Sequence, residues 1–248
     1  MIDFPPDAYH GRCSVCGEAQ LFIRAARAIR ETYHCRLCRA SLREREQAQA
    51  LLDCLTGLAA PSLSALPSLP AAKALQVYEP GVSGALRPYL SRLPGYHQSA
   101  YLPIADRRRA SGPAHQDLQK LTYADASFDV VITSDILEHV RRPQQALAEI
   151  ARVLRPGGVH VCTVPLQLPL PARTVARVDV SGEEDRHLLP PHYHGNGQGG
   201  QSLVYNDFGA DIVDLARAAG FEASLKPSSA PSPIASAALT LVCRRPAA

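Results

Sequence analysis

The pattern of apolar and polar positions divides the chain into unlike parts. From Lys73 onward, short apolar runs alternate with stretches of helical period. Residues 74–78, 96–101, 128–133, 159–164 and 237–243 read as strands, the third of them rich in β-branched side chains. Helical stretches lie between them. One begins at 85–90 and is interrupted near Pro88. A second, 143–154, carries Ala146, Leu147, Ile150, Val153 and Leu154 on one side. A third, 207–219, turns Phe208, Ile212, Leu215, Ala216 and Ala219 inward, with Gly220 as its stop. The Arg-Pro-Gly-Gly run at 155–158 ends the second helix, because proline cannot continue it and glycine supplies the positive φ of the turn. Strands separated by helices predict an α/β fold: a parallel sheet with helices on both faces.

Two stretches break that rhythm. Residues 61–70 hold three prolines in ten and read as a linker or meandering connector. Residues 165–205 are rich in proline and glycine and show no core pattern. A connection of that length predicts a lid or binding loop, with a disordered insertion as the alternative. Between the N-terminal part and the linker, Ser41 opens a helix. Leu42, Ala48, Leu51, Leu52 and Leu55 keep one face, Arg43, Glu44, Arg45 and Glu46 lie outside, and Gly57 is the stop.

The cysteines add chemistry to the N-terminal part. Cys13 and Cys16 form one C-x-x-C pair, Cys35 and Cys38 another, with 18 residues between the pairs. Each turn aims two sulfurs at one point, and two turns close a tetrahedron, as a structural four-thiolate zinc site requires. Such a site staples a small module and leaves no open position for catalysis. His10 and His34 flank the cysteines as substitute ligands, and residues 21–30 read as a strand pair or a short helix. Cys54, Cys162 and Cys243 sit in apolar settings and read as buried thiols.

Composition narrows the classes. The 248 residues are 46% hydrophobic and 20% charged, which excludes collagen-like, mucin-like and disordered chains. The net charge of +3 does not call for a nucleic-acid partner on the main domain. Residues 1–10 lack a cationic leader and no run of 18 apolar residues exists, so the expected setting is cytoplasmic, with no membrane partner. Arg24, Arg27, Arg30, Arg36, Arg39, Arg43 and Arg45 make the cysteine-rich end basic. They read either as a solvated face or as phosphate contacts.

The segments 121–140, with the phrase SFDVVITSDILEHV, and 148–158, with EIARVLRPGG, together resemble the class I S-adenosylmethionine-dependent methyltransferases of the type 11 group. The resemblance is close over 117–165 and recognisable from Lys73 to the C-terminus. The four-cysteine start, the Tyr193-His194-Gly195 run and the stretch 202–209 resemble a subgroup of zinc-ribbon bacterial methyltransferases. The implied fold is a Rossmann-like sheet with helices on both faces, preceded by a small zinc module. The implied organisation is a zinc ribbon over 1–40, a helix and proline-rich linker over 41–72, and a methyltransferase domain over 73–248 with a lid-like insertion at 165–205.

The resemblance also implies roles. Glu79, Gly81, Ser83 and Gly84 would cradle the methionine and ribose ends of S-adenosylmethionine. Asp117 and Leu118 would meet the adenine. Ser134 and Asp135 would lie beside the sulfonium, with Glu138 and His139 facing cofactor and substrate. Methyl transfer is an in-line displacement of an activated leaving group, so a general base serves only a protonated acceptor. His139 and His194 are the catalytic candidates, with His187 and His192 beside them on the long segment. The irregular spacing of His187, His192 and His194, with no neighbouring cysteine, argues against a second metal site there.

Two positions depart from the family pattern. Ala100 stands where an acid usually grips the ribose hydroxyls, with Asp106 as the nearest downstream substitute. Pro80 stiffens the glycine turn and removes an amide donor. Three readings follow: a methyltransferase acting on a small-molecule acceptor, a catalytically degenerate fold whose zinc ribbon binds nucleic acid or protein, and a nicotinamide oxidoreductase. The last is disfavoured by the missing third glycine and by Ala100.

Overall fold

The computed structural model describes residues 6–102, 107, 113–195, 199–232 and 234–247. Two strands, β1 (Ala8–Arg12) and β2 (Ala19–Ile23), pair antiparallel at the start. A 3-10 turn at Ile29–Glu31 and the helix α1 (Leu42–Cys54) follow. Ser41 caps α1 in a reciprocal box: its side chain accepts from the Glu44 amide, and the Glu44 carboxylate accepts from the Ser41 amide. The proline-rich connector winds through short 3-10 turns and is pinned by buried Leu63 and Leu66.

The remainder builds the sheet from β3 (Gln76–Pro80), β4 (Gly95–Ala100), β5 (Ala114–His115), β6 (Phe128–Ser134) and β7 (Leu154–Thr163), with α2 (Arg87–Leu90) and α3 (Pro143–Val153) among them. The described residues of 165–207 carry only short ladders: β8 (Val175–Ala176), β9 (Val178–Asp179), β10 (Arg186–His187), β11 (Tyr193–Gly195), β12 (Gln201–Leu203) and β13 (Asn206–Asp207). The chain closes with α4 (Ile212–Ala218), β14 (Glu222–Lys226) and β15 (Thr240–Arg244).

The seven-stranded sheet runs β14-β15-β7-β6-β3-β4-β5. Strands β3 to β7 are mutually parallel, as their pattern predicts. The exception is β15, and the edge strand β14 runs in the same direction as the five. β15 lies antiparallel to both β7 and β14, so the sheet is mixed. A parallel return would need a full crossover, and the described residues between Lys226 and Thr240 hold only a 3-10 turn at Ile234–Ala237. The short strand β14 escaped the sequence pattern, and the expected last helix begins at Ile212, its first expected residue, Asp207, lying in β13. The glycine run at 155–158 bulges between Leu154 and Val159, which pair with Phe128 and Val130. This mixed sheet with flanking helices, preceded by a cysteine-rich module, is the Rossmann-like class I methyltransferase arrangement.

Two buried clusters pack the faces. Tyr78, Phe128, Val131 and Cys162 join Leu147 and Ile150 of α3 and Ile212 of α4. On the other face, Val77, Val130 and Val161 join Leu51 of α1, Leu63, and Phe22 and Tyr33 of the module in one continuous cluster. Here the expectation for α1 needs correction. Arg45 and Glu46 are not outside; they are buried at 3% and 6% exposure. Both are paired, with Arg45 Nε their one side-chain nitrogen buried without a hydrogen bond. Arg45 donates to the Tyr9 hydroxyl and the Tyr33 carbonyl and lies 3.6 Å over the Phe22 ring. Glu46 accepts from the amide and hydroxyl of Ser229. Gln47, wholly buried, donates to the carbonyls of Thr133 and Val161 in the sheet. A polar side chain occupies a core position without penalty when its groups are paired, so apolar periodicity alone misplaces this face.

Candidate functional site

In open α/β sheets, ligands bind beyond the carboxyl ends of the strands, where the strand order reverses. Here that point lies between β3 and β6: the chain leaves β3 toward β4 and β5, then returns to place β6 and β7 on its other side. Glu79 and Pro80 end β3 and Ser134 ends β6.

Glu79 is 5% exposed and accepts a hydrogen bond from the Tyr96 hydroxyl at 2.7 Å. Burial pushes its carboxyl up to about 7, against the opposing pull of that hydroxyl and of Arg87. Gly81 follows at φ +113°, where a side chain would be strained; a Cβ there would meet Ile136 Cδ1 at 3.8 Å. Its amide donates to the Ser99 carbonyl, and its own carbonyl accepts from Gln98. Ser83 and Gly84 are exposed, and Gly84 also holds a positive φ, +126°. Beside this turn Glu44 of α1 accepts from the Ala85 amide at 2.8 Å. The glycine turn is thus braced from below by β4 and from the side by α1. Pro80, buried at the strand end, does not disturb the parallel register with Ser99.

Ala100 is the last residue of β4, opposite His115 and 2% exposed. It brings no carboxylate to the crevice, as its residue type dictates. Asp106, the downstream substitute, lies outside the described residues. Asp117 is half-buried, and one of its carboxylate oxygens accepts from the Gln119 amide at 2.9 Å and from the Gln119 side chain at 3.3 Å. Leu118 beside it is buried.

The end of β6 differs most from a simple ligand edge. Ser134 donates to Gln47 Oε1 at 2.7 Å. Asp135 takes a left-handed φ of +51° and receives both guanidinium nitrogens of Arg30, at 3.0 and 2.8 Å. Arg43 stands 3.3 Å away and also binds Glu31. Burial alone would raise the Asp135 carboxyl, but Arg43 and Arg30 prevail and hold it below the ordinary carboxylate range. Arg30 and Arg43 are 17% and 15% exposed. With Arg45 they leave the basic face that the sequence assigned them to, and they clamp the module onto the strand end.

Beyond Asp135 a 3-10 turn, Leu137–His139, carries Glu138 and His139. The long segment folds over it. The Tyr205 amide donates to the Glu138 carbonyl, His139 Nδ1 lies 2.8 Å from the Leu203 carbonyl, and the β11–β12 hairpin brings in His194. Glu138 is 1% exposed, and neither carboxylate oxygen accepts a hydrogen bond. Its Oε1 lies 3.7 Å from His139 Nε2 and 3.9 Å from His194 Nδ1. Burial pushes the Glu138 carboxyl up, and Glu138 in turn draws the His194 imidazole up. His192 stands edge-on to His194 at 4.7 Å, whereas His187 lies exposed on β10. The structure therefore gathers both catalytic candidates with Glu138 and leaves His187 apart.

The four module cysteines also converge. Cys13 Sγ lies 3.6 Å from Cys38 Sγ, and Cys16 Sγ 3.5 Å from Cys35 Sγ. Four thiolates at about 2.3 Å from one zinc ion would be about 3.8 Å apart, so the set fits a tetrahedral ion. The two turns share one backbone design. Gly17 and Arg39, each with positive φ, donate to the carbonyls of Cys13 and Cys35. Gln20 donates to Cys35 Sγ at 2.9 Å. His34 is turned away to the Arg39 carbonyl.

Known proteins resemble this chain over part of its length. The family described as "Methyltransferase domain" matches residues 82–162, about a third of the chain. A probable S-adenosylmethionine-dependent methyltransferase of Mycolicibacterium smegmatis is 32% identical over 126 residues, 51% of this chain and 38% of that protein. An uncharacterized methyltransferase of Mycobacterium marinum is 35% identical over 94 residues, 30% of this chain and 37% of that protein. The chain thus spans under two fifths of the length of these relatives. A crystal structure of an S-adenosylmethionine-dependent methyltransferase from Mesorhizobium loti aligns over 73% of this chain and 96% of its own, at 19% identity and a TM-score of 0.43. The protein is methyltransferase-like in sequence and fold, with a cysteine cluster able to bind metal.

Proposed function

We propose that this protein is an S-adenosylmethionine-dependent methyltransferase with a structural zinc module, acting on a small-molecule acceptor. The observation that carries the reading is the juxtaposition at the switch point. A left-handed glycine turn over buried Glu79 lies on one side, and the Glu138–His139–His194 cluster lies on the other. When bound, the cofactor supplies an electrophilic methyl group on a sulfonium. Glu79, Gly81, Ser83 and Gly84 would hold its methionine and ribose ends, Asp117 and Leu118 its adenine, and Ser134 and Asp135 the edge nearest the sulfur. His139 and His194 would orient the acceptor and exclude water from its approach.

The long segment supports an acceptor site of partly apolar character. Of the eight exposed large hydrophobic residues among those described, five lie on it: Leu168, Val175, Leu188, Leu189 and Tyr193. Such a concentration on one segment is what a cover for an apolar ligand presents. No helix among the described residues is long and apolar enough to cross a membrane. Cys13, Cys16, Cys35 and Cys38 would hold Zn2+ as a closed site with no catalytic position.

A second reading draws on one specific observation. Asp135 is already neutralised by two arginines and Ala100 offers no ribose acid, so the fold would serve as a scaffold and the module's exposed Arg27, Arg36 and Arg39 would meet nucleic acid or protein. Calorimetric titration of the zinc-loaded chain with S-adenosylmethionine and S-adenosylhomocysteine separates the two. The methyltransferase reading predicts saturable binding of both, weakened about tenfold or more by Asp117→Ala, the loss of one hydrogen bond to a charged group. A folded, zinc-loaded chain that binds neither removes that reading and leaves the scaffold.

A further inference from the structure

We propose that Glu138, His139 and His194 form a second metal site, distinct from the four cysteines, that binds a first-row divalent cation and through it the oxygen of a hydroxyl acceptor. Glu138 Oε1, His139 Nε2 and His194 Nδ1 all lie within 4.8 Å of one another, close enough for one ion to bond all three after small side-chain rotations.

The hydrogen bonding of His139 makes the case specific. Its Nδ1 faces the Leu203 carbonyl at 2.8 Å, and a carbonyl only accepts. Nδ1 therefore carries a proton, and the other ring nitrogen, Nε2, is the one turned toward the Glu138 carboxylate 3.7 Å away. That nitrogen lies beside a carboxylate that is 1% exposed and receives no hydrogen bond on either oxygen. A buried arrangement of this kind calls for a positive species between them. An imidazole anchored through Nδ1–H to a backbone carbonyl, with Nε2 free, is also the orientation that metal-bound histidines adopt.

The backbone around the cluster is held in place. The Tyr205 and Val204 amides donate to the Glu138 and His192 carbonyls at 2.7 and 2.8 Å, and His194 is paired with Ser202 across β11 and β12. Two imidazoles and one carboxylate suit zinc, manganese or iron(II) better than magnesium or calcium. Three protein ligands leave coordination positions open, which distinguishes this site from the closed cysteine site.

The chemical role rests on the methyltransferase reading. An acceptor hydroxyl bound to the cation loses its proton to solvent more readily. The oxygen lone pair then forms the bond to the methyl carbon while the carbon–sulfur bond breaks, and its electron pair stays on sulfur as the neutral thioether. Charge and atoms balance without any further reactant.

Cobalt(II) titration of the zinc-loaded 248-residue chain tests the site itself. The expected result is one cobalt bound per chain beyond the zinc, with a visible spectrum of nitrogen and oxygen ligation and no thiolate charge-transfer band. Glu138→Gln and His194→Ala should each weaken that binding about 100-fold while zinc content and thermal unfolding stay close to wild type. Glu138→Gln keeps the shape of the buried side chain, so a fold defect in the alanine variant would not obscure the answer. No second cobalt, or cobalt binding that both variants retain, overturns the proposal. S-adenosylhomocysteine titration runs beside it: cobalt binding without nucleoside binding removes the methyltransferase reading and keeps the metal site, and the reverse result does the opposite.

Discussion

The four-cysteine cluster and the Glu138–His139–His194 cluster bring metal-competent side chains together by opposite routes. The cysteines arrive as two local pairs, each shaped by its own tight turn, and the only long-range event is the meeting of two turns. Glu138 and His139 are sequence neighbours at the end of β6, but His194 comes from a hairpin 55 residues downstream of His139. The first cluster is encoded in spacing. The second is encoded in the backbone bonds that lay residues 203–205 over the turn at 137–139. A motif can be read where local geometry makes it, and it disappears from the sequence where tertiary hydrogen bonds make it.

That contrast predicts different fragilities. The largest effect belongs to the cysteines. A structural zinc site contributes on the order of 10 kcal/mol of binding free energy to the fold it closes. Cys35→Ser should therefore lose the ion and unfold the module, exposing residues 8–40 to limited proteolysis. Because Arg30 reaches Asp135 from that module, the defect should spread to the strand end. A Cys35→Ser chain that keeps wild-type protease resistance would show that the module is held by its contacts with α1 and not by metal.

The Arg30–Asp135 pair sharpens the comparison, since it couples the readable module to the less readable site. Arg30→Ala should cost about 2 kcal/mol in chemical unfolding by leaving Asp135 half-buried and less compensated. Adding Asp135→Asn should recover part of that loss. Additive losses in the double variant would mean that the two side chains do not interact in solution.

A smaller effect separates acid damage to the sheet from acid release of zinc. His160 is wholly buried between β6 and β15, its Nε2 lies 2.9 Å from Thr133 Oγ1, and burial pushes its pKa down to about 3. In the unfolded chain it takes a proton near pH 6.5. Its folded pKa is depressed, so the stability it contributes is complete above about pH 6.5 and is lost as pH falls from there toward 3. Between pH 7 and pH 5 the loss should be about 2 kcal/mol. Urea unfolding at the two pH values should show it, and His160→Asn should flatten the difference. An equal slope in both proteins would assign the acid sensitivity to the cysteine site.

Much of the fold was readable because each central strand is a compact apolar run between turn signals. The glycine turn follows β3, and the phrase around Glu138 runs through β6 into the turn after it. The misreadings share one cause. Arg43, Arg45 and Glu46 looked like the wet face of a helix, and Arg30 like a surface charge, because periodicity sorts residues by type and not by partner. Their partners, Asp135, Tyr9, Tyr33 and Ser229, lie far away in sequence. The edge strand β14 was missed for a related reason. The Glu222–Lys226 strand carries alternating polar residues on a half-exposed edge, which weakens its signal.

The central claim is that the β3–β6 switch point presents a cofactor to the Glu138–His139–His194 cluster. A crystal structure of the zinc-loaded chain with S-adenosylhomocysteine tests it most directly. The account predicts the nucleoside between the Gly81 turn and Ser134, with its sulfur facing the cluster across the space where an acceptor would sit. Crystals grown in saturating ligand that leave this crevice empty, or hold the sulfur turned away from Glu138, would contradict it.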